Sequence, residues 1–170
     1  MIGQQQHHQV LALDLGSVAG WARYDGESTT SGTVNTKPKR DQANVERFIT
    51  WEHWLRNQLC AGASYVAYEE VTFGHKSLYA AQIYHGMAVI TMMVCRSAGI
   101  ICEGYQVGTI KKVATGKGNA GKERMLQTAQ AQWPSLNVTD HNQADALWIM
   151  YCANEHLGNK QAKHVERLAL

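Results

Sequence analysis

Three carboxylates in this chain sit where carboxylates are costly. Asp14 follows Leu11-Ala12-Leu13, Glu69 follows Val66-Ala67-Tyr68, and Asp145 stands between Ala144 and Ala146-Leu147-Trp148. An ionised carboxylate beside a buried element carries a penalty of several kcal/mol unless it is paired or ligated. Taken singly, each acid reads well as a helix cap or a salt-bridge partner. Taken together, the three imply convergence on a shared cation. Carboxylates are hard donors that suit Mg²⁺ or Mn²⁺ rather than zinc. The matching chemistry is phosphodiester hydrolysis at two metals about 3.5–4 Å apart, one generating hydroxide and the other steadying the leaving oxygen.

A second cluster is basic. Between Gly108 and Arg124 lie Lys111, Lys112, Lys117, Lys122 and Arg124 against one acid, Glu123. A solvated face has this composition too. The glycines Gly116, Gly118 and Gly121 make the phosphate reading more specific, because lysines and backbone N–H groups near a glycine-rich turn approach an anion closely. Such contacts position a nucleic acid without reading its sequence.

These groups need a scaffold. Val10–Asp14 reads as a buried strand running into a tight turn at Gly16 and Gly20, and residues 20–24 and 29–34 as two more strands of an antiparallel meander around Asp25-Gly26. Apolar residues then recur at helical spacing over about 40–61. The run 64–69 has the continuous apolar character of a strand covered on both faces. A nearly uncharged helix is predicted over about 77–98 and a strand over 100–107. A short basic segment and the glycine-rich turn follow, then a helix over about 122–133 stopped by Pro134. The last long helix starts near Asp140, which with Gln143 resembles a capping box. Three strands, then helices alternating with strands, predict an α/β domain on a mixed five-stranded sheet, with three antiparallel strands first and parallel strands after. The 170 residues suit a single domain, with 1–9 and about 160–170 as loosely held tails.

Composition narrows the class. Hydrophobic residues make up 45% and charged residues 18%, a globular balance without the signature of disorder. The net charge of +2 neither demands nor excludes nucleic acid. Cys60, Cys95, Cys102 and Cys152 form no C-x-x-C pair and have apolar neighbours, so reduced thiols in the core of a cytoplasmic protein are expected. Residues 1–9 lack an apolar signal region, and the apolar stretch 87–95 looks too short to span a bilayer. No membrane association is expected.

The acids and lysines fall into four segments that resemble the signature blocks of the RuvC-type Holliday junction resolvases. These are Leu13-Asp14-Leu15-Gly16 with Gly20-Trp21; Ala67-Tyr68-Glu69-Glu70-Val71; Ile110-Lys111-Lys112 with Gly116-Lys117-Gly118-Asn119-Ala120-Gly121-Lys122; and Ala144-Asp145-Ala146-Leu147. They follow the family's order over roughly residues 9–155, and Tyr84-His85-Gly86-Met87-Ala88 resembles the family's intervening helix. The resemblance implies an RNase H-like fold, a homodimer, dependence on Mg²⁺ with Mn²⁺ able to substitute, and symmetric nicking of four-way and other branched DNA. The length suits a phage or prophage member acting in a bacterial or phage-infected cytoplasm.

Residue by residue, the resemblance makes Asp14, Glu69 and Asp145 catalytic metal-binding acids. The family's fourth acid precedes the last aspartate by three residues, where this chain has Asn142, a neutral oxygen donor. Asp140, His141 and Glu70 are alternatives for that place; Asp140 also reads as a helix N-cap, and Glu70 should point away from Glu69 if the strand continues. Lys111, Lys112, Lys117 and Lys122 are the DNA-binding candidates, with Lys122 near the scissile phosphate. Phe73 is the candidate aromatic wedge that stacks into an opened junction, one residue later than the family places it, and Tyr79 is the fallback. Three other functions compete: a junction-binding module that does not cut, an RNA-processing nuclease of the same fold, and an actin-like phosphotransferase. The last needs a second phosphate loop that is missing here.

Overall fold

The computed structural model describes residues 9–71 and 77–168, with side chains described as far as residue 159. Strands β1 (Val10–Asp14), β2 (Val18–Tyr24) and β3 (Thr29–Asn35) form the expected meander. Helix α1 (Glu46–Cys60), β4 (Tyr65–Glu70), α2 (Leu78–Ser97) and β5 (Ile101–Gln106) complete a sheet of order β3-β2-β1-β4-β5. β1 pairs antiparallel with β2 and parallel with β4, and β4 pairs parallel with β5. The mixed sheet matches the sequence reading.

Side-chain alternation sorts the core into two layers. Val10 and Ala12 of β1, with Tyr65 and Ala67 of β4, face three later helices: α3 (Val107–Thr115), α4 (Lys122–Gln132) and α5 (His141–Leu168). Leu11 and Leu13, with Val66, face α1 and α2. β1 is therefore covered on both sides. Full burial of Leu11 and Leu13 stabilises the fold by about 1.5–3 kcal/mol each.

Several expectations are corrected. Residues 107–115, read as a basic connector, form α3, whose Ile110 and Ala114 are buried one helical turn apart. Helix α1 starts at Glu46 rather than near residue 40, because the segment 40–44 has only Ala43 as an apolar residue and no large side chain to bury. The capping box at α5 is half present. Asp140 Oδ1 accepts from the N–H groups of Asn142 (2.8 Å) and Gln143 (3.2 Å), whereas the Gln143 amide turns away to donate to Ser31 Oγ. Helix α5 extends to Leu168. Cys60 is exposed, unlike Cys95 and Cys152. Helix α2 is long and apolar enough to cross a membrane, contrary to the shorter span read from sequence, but it buries Ile83, Met87, Thr91, Val94 and Cys95 against the core.

Candidate active site

The candidate site lies at the carboxyl ends of β1 and β4, on the face covered by α3, α4 and α5. The last paired residues of these parallel neighbours are Leu13 and Tyr68. One residue further along each strand come Asp14 and Glu69. Asp14 continues the alternation of Val10 and Ala12, and Glu69 that of Tyr65 and Ala67, so both carboxylates leave the sheet towards α5. This is the edge of a parallel sheet where α/β proteins place ligands.

Helix α5 brings the third acid. Its first turn is capped by Asp140, and its small residues Ala144, Ala146 and Ala153 are buried over the sheet. Asp145 is thereby carried over the ends of β1 and β4. The end of β4 is held from behind by Tyr84 of α2, whose hydroxyl donates to the Glu69 carbonyl (2.8 Å) and accepts from the Val71 N–H (2.9 Å).

The charges of these acids act on one another's neighbourhood. Burial raises the proton affinity of Asp14 well above the carboxylate range, and the neighbouring charges of Asp145 and Glu69 raise it further. Glu69 is pushed up to about 7, first by burial and then by Asp145. Burial likewise raises Asp145, while Lys122, Lys111 and His141 draw it back. Lys122 acts on all three acids, and Lys111 on Glu69 and Asp145. Among the described residues, no hydrogen bond or ion pair reaches the carboxylates of Asp14, Glu69 or Asp145.

The two lysines arrive on different helices. Lys111 lies on α3, and Lys122 opens α4 just after Gly121. The registry of α4 on α5 is set by an aromatic group: Trp133 packs edge-on against Trp148, centroids 5.0 Å apart, and Tyr151 meets Trp148 at 5.6 Å. Trp148 Nε1 also donates to the Met125 carbonyl (3.3 Å). Lys112 and Lys117 are exposed and do not act on the acids. Lys112 lies in the last turn of α3, and Lys117 is held by Thr115 in the glycine turn, where Gly116 takes φ 78° to end the helix.

Of the alternatives for the fourth metal position, Asp140 caps the helix through Oδ1 and also acts on Asp14 and Asp145. Glu70 is exposed on the other side of β4 and accepts from Gln106 Nε2 (2.6 Å). Asn142 lies in the first turn of α5, against β2 at Gly20. His141 has one nitrogen, Nε2, 3.3 Å from Glu123 Oε1. Its Nδ1 is the one buried side-chain nitrogen or oxygen without a hydrogen-bond partner among the described residues. Phe73 falls outside the described residues. Tyr79, the fallback, is half-exposed, and its hydroxyl accepts from Arg47 Nη2 (2.9 Å).

Carboxylate oxygens are the donors that a hard divalent cation takes. Beyond burial, Asp145 and Glu69 raise the proton affinity of Asp14, and Asp145 raises that of Glu69. Among the described residues, no group of three or more His, Cys, Asp and Glu side chains stands within coordinating reach of one point.

No family model matches the chain. It is 25% identical over 151 residues to the crossover junction endodeoxyribonuclease RuvC of Wolbachia sp. subsp. Brugia malayi, covering 85% of this chain and 92% of that protein. It is 26% identical over 152 residues to the protein of the same name from Cereibacter sphaeroides, covering 88% and 90%. Among solved structures, T. thermophilus RuvC in complex with a Holliday junction substrate superposes with a TM-score of 0.70 at 20% identity, covering 85% of this chain and 91% of that one. A Thermus thermophilus RuvC structure matches with a TM-score of 0.65 at 19% identity, covering 84% and 90%.

Proposed function

We propose that this chain, a RuvC-type resolvase of RNase H-like fold, is a metal-dependent endonuclease that nicks four-way DNA junctions. The observation that carries the reading is the convergence of Asp14, Glu69 and Asp145 from two strands and a helix, with Lys122 acting on all three. Asp14, Glu69 and Asp145 would hold a divalent metal, Mg²⁺ or Mn²⁺, which would supply Lewis-acid activation of water and offset charge on the phosphate.

The chain's own residues do the rest. Asp14 and Glu69, fixed side by side on paired strands, present oxygens that need no reorganisation of the sheet. Asp145 closes the site from above. Lys122 and Lys111 balance the acids when phosphate is absent and face the phosphodiester when it is present, favouring the extra negative charge of the transition state. Lys112 and Lys117, exposed beside the glycine turn, extend the contact along the DNA backbone.

Symmetric cutting requires two such sites, so the reading includes a homodimer acting in the cytoplasm. Val89, Met92 and Met93, exposed on α2, offer the apolar surface that pairing would bury.

Asn142 favours a second reading, a junction binder that does not cut, because it leaves the family's fourth acidic position uncharged. One assay separates them: labelled four-way, three-way and linear DNA incubated with Mg²⁺ or Mn²⁺. Metal-dependent nicking confined to branched DNA supports the nuclease; a gel shift without nicking supports the binder. Asp14→Asn and Asp145→Asn should each abolish cutting and leave junction binding largely intact. Wild-type cutting by both variants would show that the site is elsewhere.

A further inference from the structure

β1 and β4 pair as far as Leu13 and Tyr68, one residue short of the acids that the two strands carry. In a parallel ladder, a residue of the neighbouring strand donates its N–H to one carbonyl. Its own carbonyl accepts from the N–H two residues further along. Past Tyr68 that pair of bonds is made by a side chain. The Tyr84 hydroxyl donates to the Glu69 carbonyl (2.8 Å) and accepts from the Val71 N–H (2.9 Å). One oxygen from α2 thus makes the bonds that a further residue of β1 would make.

Tyr84 is itself held firmly. It is 7% exposed and lies on the buried face of α2 with Ile83, Met87 and Ala88. Gly86, two residues on, sits so close to the Phe48 ring of α1 that a Cβ there would overlap it. Burial raises the proton affinity of the hydroxyl. The Val71 N–H lowers it, and the charges of Glu69, Glu70 and Asp14 raise it again, so both strand-borne acids lie within electrostatic reach. Among the described residues no hydrogen bond reaches the Glu69 carboxylate, so its direction depends on the backbone that carries it. Glu70 is tied to Gln106 on the opposite side of the strand. The alternation that sends Glu69 towards α5 therefore has to survive to the last residue of β4.

We propose that Tyr84 is a positioning residue for strand cleavage: its hydroxyl stands in for β1, fixes the backbone at Glu69, and so presents the Glu69 carboxylate beside Asp14. The proposal rests on the three-acid site proposed above and names the group that orients one of its acids. Tyr84 acts through the Glu69 backbone and not on the phosphodiester. Loss of a partner that orients a ligand costs a metal site about 10–100-fold in affinity or activity. Junction binding, which the exposed lysines carry, is untouched by it.

Tyr84→Phe in the full-length protein keeps the ring and removes only the hydroxyl. In the wild type the Val71 amide should exchange slowly with solvent, and the variant should lose that protection. The variant should bind Mn²⁺ alone, followed by the EPR signal of the free ion, about 10–100-fold more weakly. Its single-turnover cutting rate at subsaturating Mn²⁺ should fall alike, while its affinity for a four-way junction, measured with chelator, stays at the wild-type value. Thr91→Val removes a buried hydroxyl bond two turns further along the same helix and should leave Mn²⁺ affinity unchanged. A Val71 amide that exchanges freely in the wild type overturns the proposal without any variant. So does wild-type Mn²⁺ affinity in Tyr84→Phe, or an equal loss in Thr91→Val, when Asp14→Asn abolishes binding. Mn²⁺ binding that is absent, or indifferent to Asp14→Asn, overturns the three-acid site and the role of Tyr84 with it.

Discussion

Gly20 of β2 lies directly beneath Asn142 in the first turn of α5, so close that a Cβ at residue 20 would overlap the Asn142 carbonyl. Gly20 is also the cross-strand partner of Asp14. One missing side chain therefore sets the height of α5 above the sheet at the point where Asp145 must meet Asp14. Gly20→Ala pushes against backbone rather than a flexible side chain, so the cost should reach the upper end for overpacking, about 3 kcal/mol. Thermal unfolding should fall by roughly 10 °C, and metal-dependent cutting should fall further than stability explains. Gly158→Ala, at an open position later in the same helix, should cause neither change. Equal melting temperatures for the Gly20 variant and wild type would mean that the helix is not seated on this residue.

The layer on the other face has its own polar tie. Trp51 Nε1, fully buried on α1, donates to Thr91 Oγ1 of α2 (3.0 Å), which donates to the Met87 carbonyl (2.8 Å). Thr91→Val keeps the shape and strands the indole N–H in apolar surroundings, a loss of about 1–3 kcal/mol. Thr91→Ser should recover most of it. Denaturant titration measures both, and a fully stable valine variant would mean that the indole finds another acceptor.

Sequence patterning carried the strands well because their burial is continuous. β1 was read to the residue, Val10–Asp14, since apolar residues fill both faces and the acid marks the end. Helix α3 was missed because only Ile110 and Ala114 are buried, and the lysines between them looked like a solvated loop. The acids stand out in the sequence by their apolar settings. The choice among the lysines does not: Lys111 and Lys112 are adjacent in sequence, and only the rotation of α3 directs one of them at Glu69 and Asp145. The ambiguity at the fourth position had the same origin. Whether Asp140 caps or ligates depends on hydrogen bonds within the first turn of α5.

The raised proton affinities give a stability profile with a definite sign. Folded Glu69 holds its proton up to about 7, against an ordinary value of 4.5. Protonation therefore favours the folded state, and that stabilisation is complete below about 4.5 and lost as pH rises through 7. Asp14 shifts in the same direction. With chelator present, the melting temperature should decline across this window, and Glu69→Gln should flatten the decline and raise stability at pH 8 by about 2–3 kcal/mol. Mg²⁺ should restore more stability at pH 8 than at pH 6, because cations and protons compete for the same oxygens. Calorimetry that finds a flat chelated profile would contradict the burial of these acids and the charge of Asp145 beside them.

Lys122 and Lys112 should fail in different ways. Lys122 acts on Asp14, Glu69 and Asp145, whereas Lys112 acts on none of them and is exposed. Lys122→Ala should lower the single-turnover cutting rate about 10²–10³-fold, the usual loss for one preorganised stabilising group. Lys112→Ala should leave that rate within a few-fold, weaken junction binding, and reduce the salt slope of binding by about 1. Rates measured at saturating protein separate the two, since binding defects vanish there while chemical defects remain. If both variants lose the same rate under saturation, Lys122 serves the DNA backbone rather than the acids, and the electrostatic link between α4 and the strand ends is not part of the chemistry.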